Sequence, residues 1–174
     1  MEPIQYTNEN NDSLLQAITG FLVSIGLPCQ PATIDHDTFL PGVDIRNGSI
    51  LYDAEKLLSP GDLLHEAGHI AVLKPERRAT VSNPDISGDL SPPGAELAAI
   101  AWSWSAIRHL QIAPEIVFHE KGYNDGSVAI IENFSNKRYF GASLLQWLGM
   151  TVEDKTGSEV EGTYPKLTHW LRPG

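Results

Sequence analysis

The chain has 174 residues, of which 41% are hydrophobic and 20% are charged, so its composition is ordinary for a globular domain large enough to bury a core. Its formal net charge is −10, which argues against nucleic acid or an anionic membrane surface as a partner. No stretch approaches the roughly 20 apolar residues of a membrane-spanning helix. Residues 1–12 are too polar for a secretory signal and Cys29 is the only cysteine, so we expect a cytoplasmic protein without an internal disulfide.

Hydrophobic spacing and turn residues predict a single α+β domain over residues 1–174. The pattern leaves open whether residues 1–12 and 151–174 are only loosely attached. The predicted elements, in chain order, are a helix over 13–26, a hairpin of strands 43–46 and 49–52 around Asn47-Gly48, a helix from Pro60 to about 71, a polar connection over 74–94, a helix over 95–111, strands 115–118 and 127–131 joined by a turn over 122–126, and a helix over 141–150.

The most informative segment is His65-Glu66-Ala67-Gly68-His69, an HExxH motif. Histidines at positions i and i+4 of a helix lie about 40° apart around its axis, so both imidazoles can reach one metal ion. Glu66 follows the first histidine, where its carboxylate can take a proton from a water molecule. The motif therefore predicts Zn²⁺ ligands at His65 and His69 and a general base at Glu66. The plainer interpretation is a surface helix with solvated side chains.

The residues around the motif favour a helix. Ser59 suits the N-cap, Pro60 the first helical position and Asp62 the first turn. Gly68 is an unusual choice inside a helix and costs about 1 kcal/mol relative to Ala. It allows a substrate or another backbone to approach closely, or simply allows a neighbouring helix to pack tightly.

Residues 62–71 (DLLHEAGHIA) resemble the zincin metallopeptidases over about ten positions. The departure is Asp62, where zincins usually carry an uncharged residue. Asp62 lies one turn before His65, so it is either a second-shell partner that orients this imidazole or only an acid at the helix start.

In zincins a strand near the site binds an extended peptide, and residues 50–53 are a candidate for that strand, although they serve equally well as plain sheet.

A catalytic zinc site needs a third protein ligand and one open position. The zincin class with a third histidine shortly after the motif is excluded, because residues 70–75 contain none. Another class takes a Glu from a later helix, and Glu96 is the candidate. It shares a helix face with Ile100 and Ile107, where a carboxylate is costly unless it is paired or bound to metal. The alternative is an exposed glutamate that favours the helix dipole.

Other side chains compete less well for a place in the site. Asp85 and Asp89 lie in the polar connection and are possible ligands, whereas His109 falls on the side of its helix opposite Glu96. His119 follows an apolar run and is either a structural histidine or a donor to a transition-state oxyanion. Tyr123 and Tyr139 are more distant candidates for the same role.

HEAGH followed by a Glu on an Ala-rich helix resembles the short intracellular ImmA/IrrE-like zincins. The resemblance does not cover the first 40 residues or the C-terminal half. It implies a zincin-like fold in which the active-site helix packs on a small mixed or antiparallel sheet beside a second, Glu-bearing helix. It also implies one Zn²⁺ ion held by His65, His69 and Glu96, and hydrolysis of a protein or peptide substrate. Two other classes stay open: a non-catalytic metal-binding or regulatory module, and a metal-free interaction protein.

Overall fold

A computed structural model of the chain describes residues 8–83, 90–123, 126–152 and 162–174, and over these residues the fold is mixed α+β, as predicted. None of the helices in this part is long and apolar enough to cross a membrane. The elements are α1 (Asn8–Ser24), β1 (Cys29–Pro31), β2 (Val43–Arg46), β3 (Ser49–Tyr52), α2 (Asp62–Ala71), α3 (Pro75–Arg78), α4 (Pro92–Leu110), a 3₁₀ turn (Pro114–Ile116), α5 (Glu120–Tyr123), α6 (Gly126–Ser135) and α7 (Ala142–Trp147).

The three strands form one small mixed sheet in the order β1-β3-β2. The antiparallel pair β2 and β3 is the predicted hairpin, and its turn residues Asn47 and Gly48 both have positive φ, 48° and 74°, as a tight two-residue turn requires. Strand β1 runs parallel to β3 on the other side. Because β3 is paired on both edges, the suggestion that residues 50–53 bind an extended peptide by strand addition is wrong.

The predicted strands at 115–118 and 127–131 are also wrong, since these segments form the 3₁₀ turn and α6. Short apolar runs do not distinguish a strand from a helix by themselves. In α6 the buried residues are Ser127, Ile130 and Phe134, which recur at helical spacing, while Val128 is 67% exposed. The segment therefore buries one helical face. The helices predicted over 13–26, 95–111 and 141–150 are confirmed as α1, α4 and α7.

Helices α2 and α4 pack directly against each other in the core. Every residue of α2 is buried. A Cβ added to Gly68 would lie 2.9 Å from the carbonyl oxygen of Ala99 in α4, and the Ser103 hydroxyl of α4 donates a hydrogen bond to the Leu64 carbonyl of α2 (3.3 Å). Gly68 thus permits a close helix–helix contact, which is the second of the two roles considered for it. This contact sets the distance between the HExxH helix and Glu96.

We expect Gly68→Ala to destabilise the fold by about 1–3 kcal/mol, because its Cβ would overlap the Ala99 backbone and force the helices apart. Gly20→Ala in α1 is the matched control, since a Cβ there meets nothing within 4 Å. That substitution should stabilise the protein by up to about 1 kcal/mol through helix propensity. Urea unfolding measures both variants. Equal stabilisation by the two substitutions would show that the close contact does not constrain the helices.

The C-terminal segment 162–174 packs against the domain. The Trp102 indole donates to the Trp170 carbonyl (2.9 Å), and the buried Tyr164 hydroxyl donates to the Ala101 carbonyl (2.8 Å). The Arg172 N–H donates to the Ala71 carbonyl at the end of α2 (2.9 Å). This part of the chain therefore covers α4 and closes the C-terminal end of α2. Residues 1–7 and 153–161 of the two terminal segments lie outside the described residues.

Candidate metal centre

The first turn of the HExxH helix is fixed by its own polar residues. The Ser59 N–H donates to the Asp62 carboxylate (3.3 Å), and the Ser59 hydroxyl accepts from the Gly61 N–H (3.2 Å). A tight turn joins Ser59 to Asp62, where the regular helix begins. The prediction of Ser59 as the N-cap and Pro60 as the first helical residue is wrong by two positions, because the regular helix has Gly61 at its N-cap, without a side-chain cap, and begins at Asp62. This start places His65, Glu66 and His69 inside the protein.

The structure brings His65, His69 and Glu96 together. The Nε2 atoms of the two histidines are 3.2 Å apart, and Glu96 Oε2 lies 3.6 Å from His65 Nε2 and 3.3 Å from His69 Nε2. Glu96 reaches this point from the first turns of α4, which starts at Pro92 after the N-cap Ser91. Three ligand atoms within 4.8 Å of one another can hold a metal ion. Two imidazoles and one carboxylate are a donor set used by Zn²⁺ and also by Fe²⁺.

Burial and neighbouring groups favour the ligating forms of His65 and Glu96. Burial, with the charge of His69, lowers the pKa of His65 to about 4, so this imidazole is neutral. Burial acts to raise the pKa of Glu96, but the hydrogen bond with His69 and the electrostatic interactions with His65 and His69 outweigh it and lower the pKa below its ordinary value. A neutral imidazole and an ionised carboxylate are the ligating forms.

Glu66 is buried beside the triad and stays outside it. Its Oε2 atom has no hydrogen-bond partner among the described residues, which is costly for a buried carboxylate oxygen. Burial raises the pKa of Glu66 to about 7. Glu66 also lines a cleft of about 580 Å³ whose other walls include Phe39, Asp44 and Arg46. A carboxylate that titrates near neutrality and adjoins an open cleft suits a general base.

Tyr123 contacts the ring of His65 from the side opposite the triad. Its hydroxyl oxygen lies 2.5 Å from His65 Nδ1, while His65 Nε2 faces His69 and Glu96. The two rings meet edge to face, with centroids 5.4 Å apart. Sequence reasoning placed Tyr123 among the candidates for an oxyanion donor and missed this contact with a candidate ligand.

Asp62 and His119 pair with each other. The Gly122 N–H donates to His119 Nδ1 (3.1 Å), so the ring proton is on Nε2, which donates to Asp62 Oδ1 (2.7 Å). Asp62 was predicted as a possible partner of His65, but its observed hydrogen bonds go to Ser59 and His119. His119 was predicted as a possible hydrogen-bond donor to the oxyanion, but its Nε2–H donates to Asp62. The pair therefore joins the start of α2 to the residue that directly precedes α5.

The remaining candidates lie elsewhere. His109 packs on Phe21 and Trp170, with ring centroids 5.3 Å from each. Tyr139 packs on Phe134 and Tyr164. Asp85 and Asp89 lie outside the described residues. Comparison of the chain with models of known protein families, with curated proteins and with solved structures finds no match.

Proposed function

We propose that this chain is a zinc-dependent metallopeptidase. The observation that supports the proposal best is the convergence of His65, His69 and Glu96 beside a buried Glu66 whose carboxylate oxygen has no partner in the described part of the chain. A metal-ligand triad next to a general base is the arrangement that hydrolysis by an activated water requires. The resemblance of residues 62–71 to zincins supports the same conclusion.

Zinc is the metal we propose, with His65 Nε2, His69 Nε2 and a Glu96 carboxylate oxygen as ligands. When bound, Zn²⁺ acts as a Lewis acid that lowers the pKa of water and polarises a carbonyl oxygen. Glu66 accepts the proton of the attacking water and passes it to the leaving amine.

The cleft that adjoins Glu66 is where we place a protein or peptide substrate. Its walls combine exposed Phe39 with the charged side chains of Asp44 and Arg46, so it offers both apolar and polar contacts. The excess of acidic over basic residues, 22 to 12, disfavours nucleic acid as the substrate. We place the reaction in the cytoplasm, in keeping with a single cysteine that has no partner for an internal disulfide.

A non-catalytic metal-binding module is the second candidate. Such a module needs a fourth ligand and has no use for a general base. His119, a possible fourth ligand, instead donates a hydrogen bond from Nε2 to the Asp62 carboxylate (2.7 Å). Asp89, the other possibility, lies outside the described residues. The unpartnered Oε2 of Glu66 favours the enzyme over the module.

The proposal predicts metal-dependent cleavage of peptide bonds. A mixture of peptides with varied sequences, incubated with the zinc-loaded protein, should yield new termini detected by mass spectrometry. A chelator should abolish the cleavage and added Zn²⁺ should restore it. Cleavage that continues at the wild-type rate after chelation would contradict a metal-dependent mechanism, and complete absence of cleavage by zinc-loaded protein would favour the non-catalytic module.

A further inference from the structure

We infer that Tyr123 is a positioning residue for the metal centre: its hydroxyl holds the His65 ring with Nε2 directed at the metal, and the Asp62–His119 pair holds Tyr123 in place. The inference rests on the proposed metal site. It assigns to Tyr123 a role that differs from the oxyanion donor considered from the sequence.

The first step is the direction of the hydrogen bond at His65. An imidazole that ligates a metal through Nε2 carries its proton on Nδ1, and this proton needs an acceptor when the ring is buried. The Tyr123 hydroxyl oxygen lies 2.5 Å from Nδ1, and the His65 side chain is 9% exposed. In the metal-bound state Nδ1–H therefore donates to Tyr123. This hydrogen bond selects the tautomer that leaves Nε2 free for the metal.

The second step is the contrast between the two histidines. The Nδ1 atom of His69 is buried and has no hydrogen-bond partner among the described residues. Of the two histidines, His65 is therefore the one whose Nδ1 atom has a hydrogen-bond partner among the described residues. Loss of the Tyr123 hydroxyl should affect His65 and leave the surroundings of His69 Nδ1 unchanged.

The third step is what holds Tyr123. It ends the four-residue helix α5, and its N–H donates to the His119 carbonyl (3.1 Å). The His119 ring connects this turn to the buried Asp62 at the start of α2. A second connection lies nearby, where the Ser59 hydroxyl donates a hydrogen bond to the Ile116 carbonyl (2.5 Å). The turn that carries Tyr123 is therefore attached to the same helix that carries His65.

The test is the affinity for Zn²⁺, measured by competition with a coloured chelator. Tyr123→Phe keeps the ring and its packing against Phe118, and removes only the hydroxyl. We expect it to weaken zinc binding by about 10- to 100-fold, the usual effect of losing such a partner. Tyr52→Phe, which removes a hydroxyl from β3, is the control and should bind zinc like the wild type.

His119→Leu should also weaken zinc binding, because it removes the hydrogen bond to Asp62. His119→Gln, which keeps a donor for Asp62, should recover part of the lost affinity.

A second readout separates positioning from packing. In ¹⁵N-labelled, zinc-loaded protein, the Nδ1–H signal of His65 should appear in the wild type and shift or disappear in Tyr123→Phe, while the His69 ring signals change little. Wild-type zinc affinity and an unchanged His65 signal in Tyr123→Phe would overturn the inference and leave the proposed function intact. Failure of the wild type to bind zinc would overturn both.

Discussion

Replacing Glu66 by Gln is expected to lower the rate of peptide hydrolysis by about 10²- to 10⁴-fold, the usual contribution of a general base. The amide has nearly the shape of the carboxylate but cannot accept a proton from water. Glu66 is buried outside the ligand triad, so zinc affinity should stay close to that of the wild type. Cleavage of the peptide mixture and chelator competition, carried out on the same protein preparation, measure the two quantities.

The combination of results makes this test specific. A slow variant that still binds one zinc ion per chain assigns proton transfer to Glu66. A slow variant that has lost its zinc would mean that the substitution disturbs the site. Glu66→Asp, which keeps a carboxylate on a shorter side chain, would then be measured in the same two assays. Hydrolysis at the wild-type rate would exclude Glu66 as the base and with it the proposed mechanism.

Replacing Glu96 by Ala is expected to weaken zinc binding by about 100-fold or more, since loss of a direct ligand should exceed the 10- to 100-fold effect of an outer partner. The Glu96 carboxylate is the only oxygen donor in the described triad, and it lies 3.3 Å from His69 Nε2 and 3.6 Å from His65 Nε2. Zinc titration monitored by chelator competition measures the affinity.

Glu115→Ala is the matched control, because it removes an exposed glutamate from the 3₁₀ turn. This variant should bind zinc like the wild type, which separates ligand loss from a general change in charge. Without metal, Glu96→Ala should also lower the free energy of unfolding at neutral pH, since the carboxylate hydrogen-bonds His69 and its pKa is lowered in the fold. Unchanged zinc affinity in Glu96→Ala would remove it from the ligand set.

The sequence predicts the parts of this fold that depend on local signals. HExxH spacing places His65 and His69 on one helix face, and the Asn47-Gly48 turn determines the hairpin. The carboxylate on an apolar face marked Glu96, which the structure brings to the two histidines. The first two predictions follow from local spacing, whereas the choice of Glu96 also depended on the resemblance to zincins that take a Glu ligand from a later helix.

The errors arise where distant contacts decide the structure. The sequence does not reveal that β1 pairs with β3, so it could not show that β3 lies in the middle of the sheet. The pairing of Asp62 with His119 joins residues 57 positions apart, and the contact of Tyr123 with His65 joins residues 58 apart. One signal was available: His119 and Tyr123 are four residues apart and share a face if their segment is a helix.

The central claim is that the chain holds one zinc ion, and elemental analysis of protein purified without a metal-affinity tag tests it most directly. The wild type should contain about one zinc ion per chain, and the double variant His65→Ala/His69→Ala, purified in parallel, should contain none. Zinc retained by the double variant would place the ion elsewhere. No zinc in the wild type, even after incubation with excess Zn²⁺ and desalting, would contradict the metal centre and the peptidase function built on it.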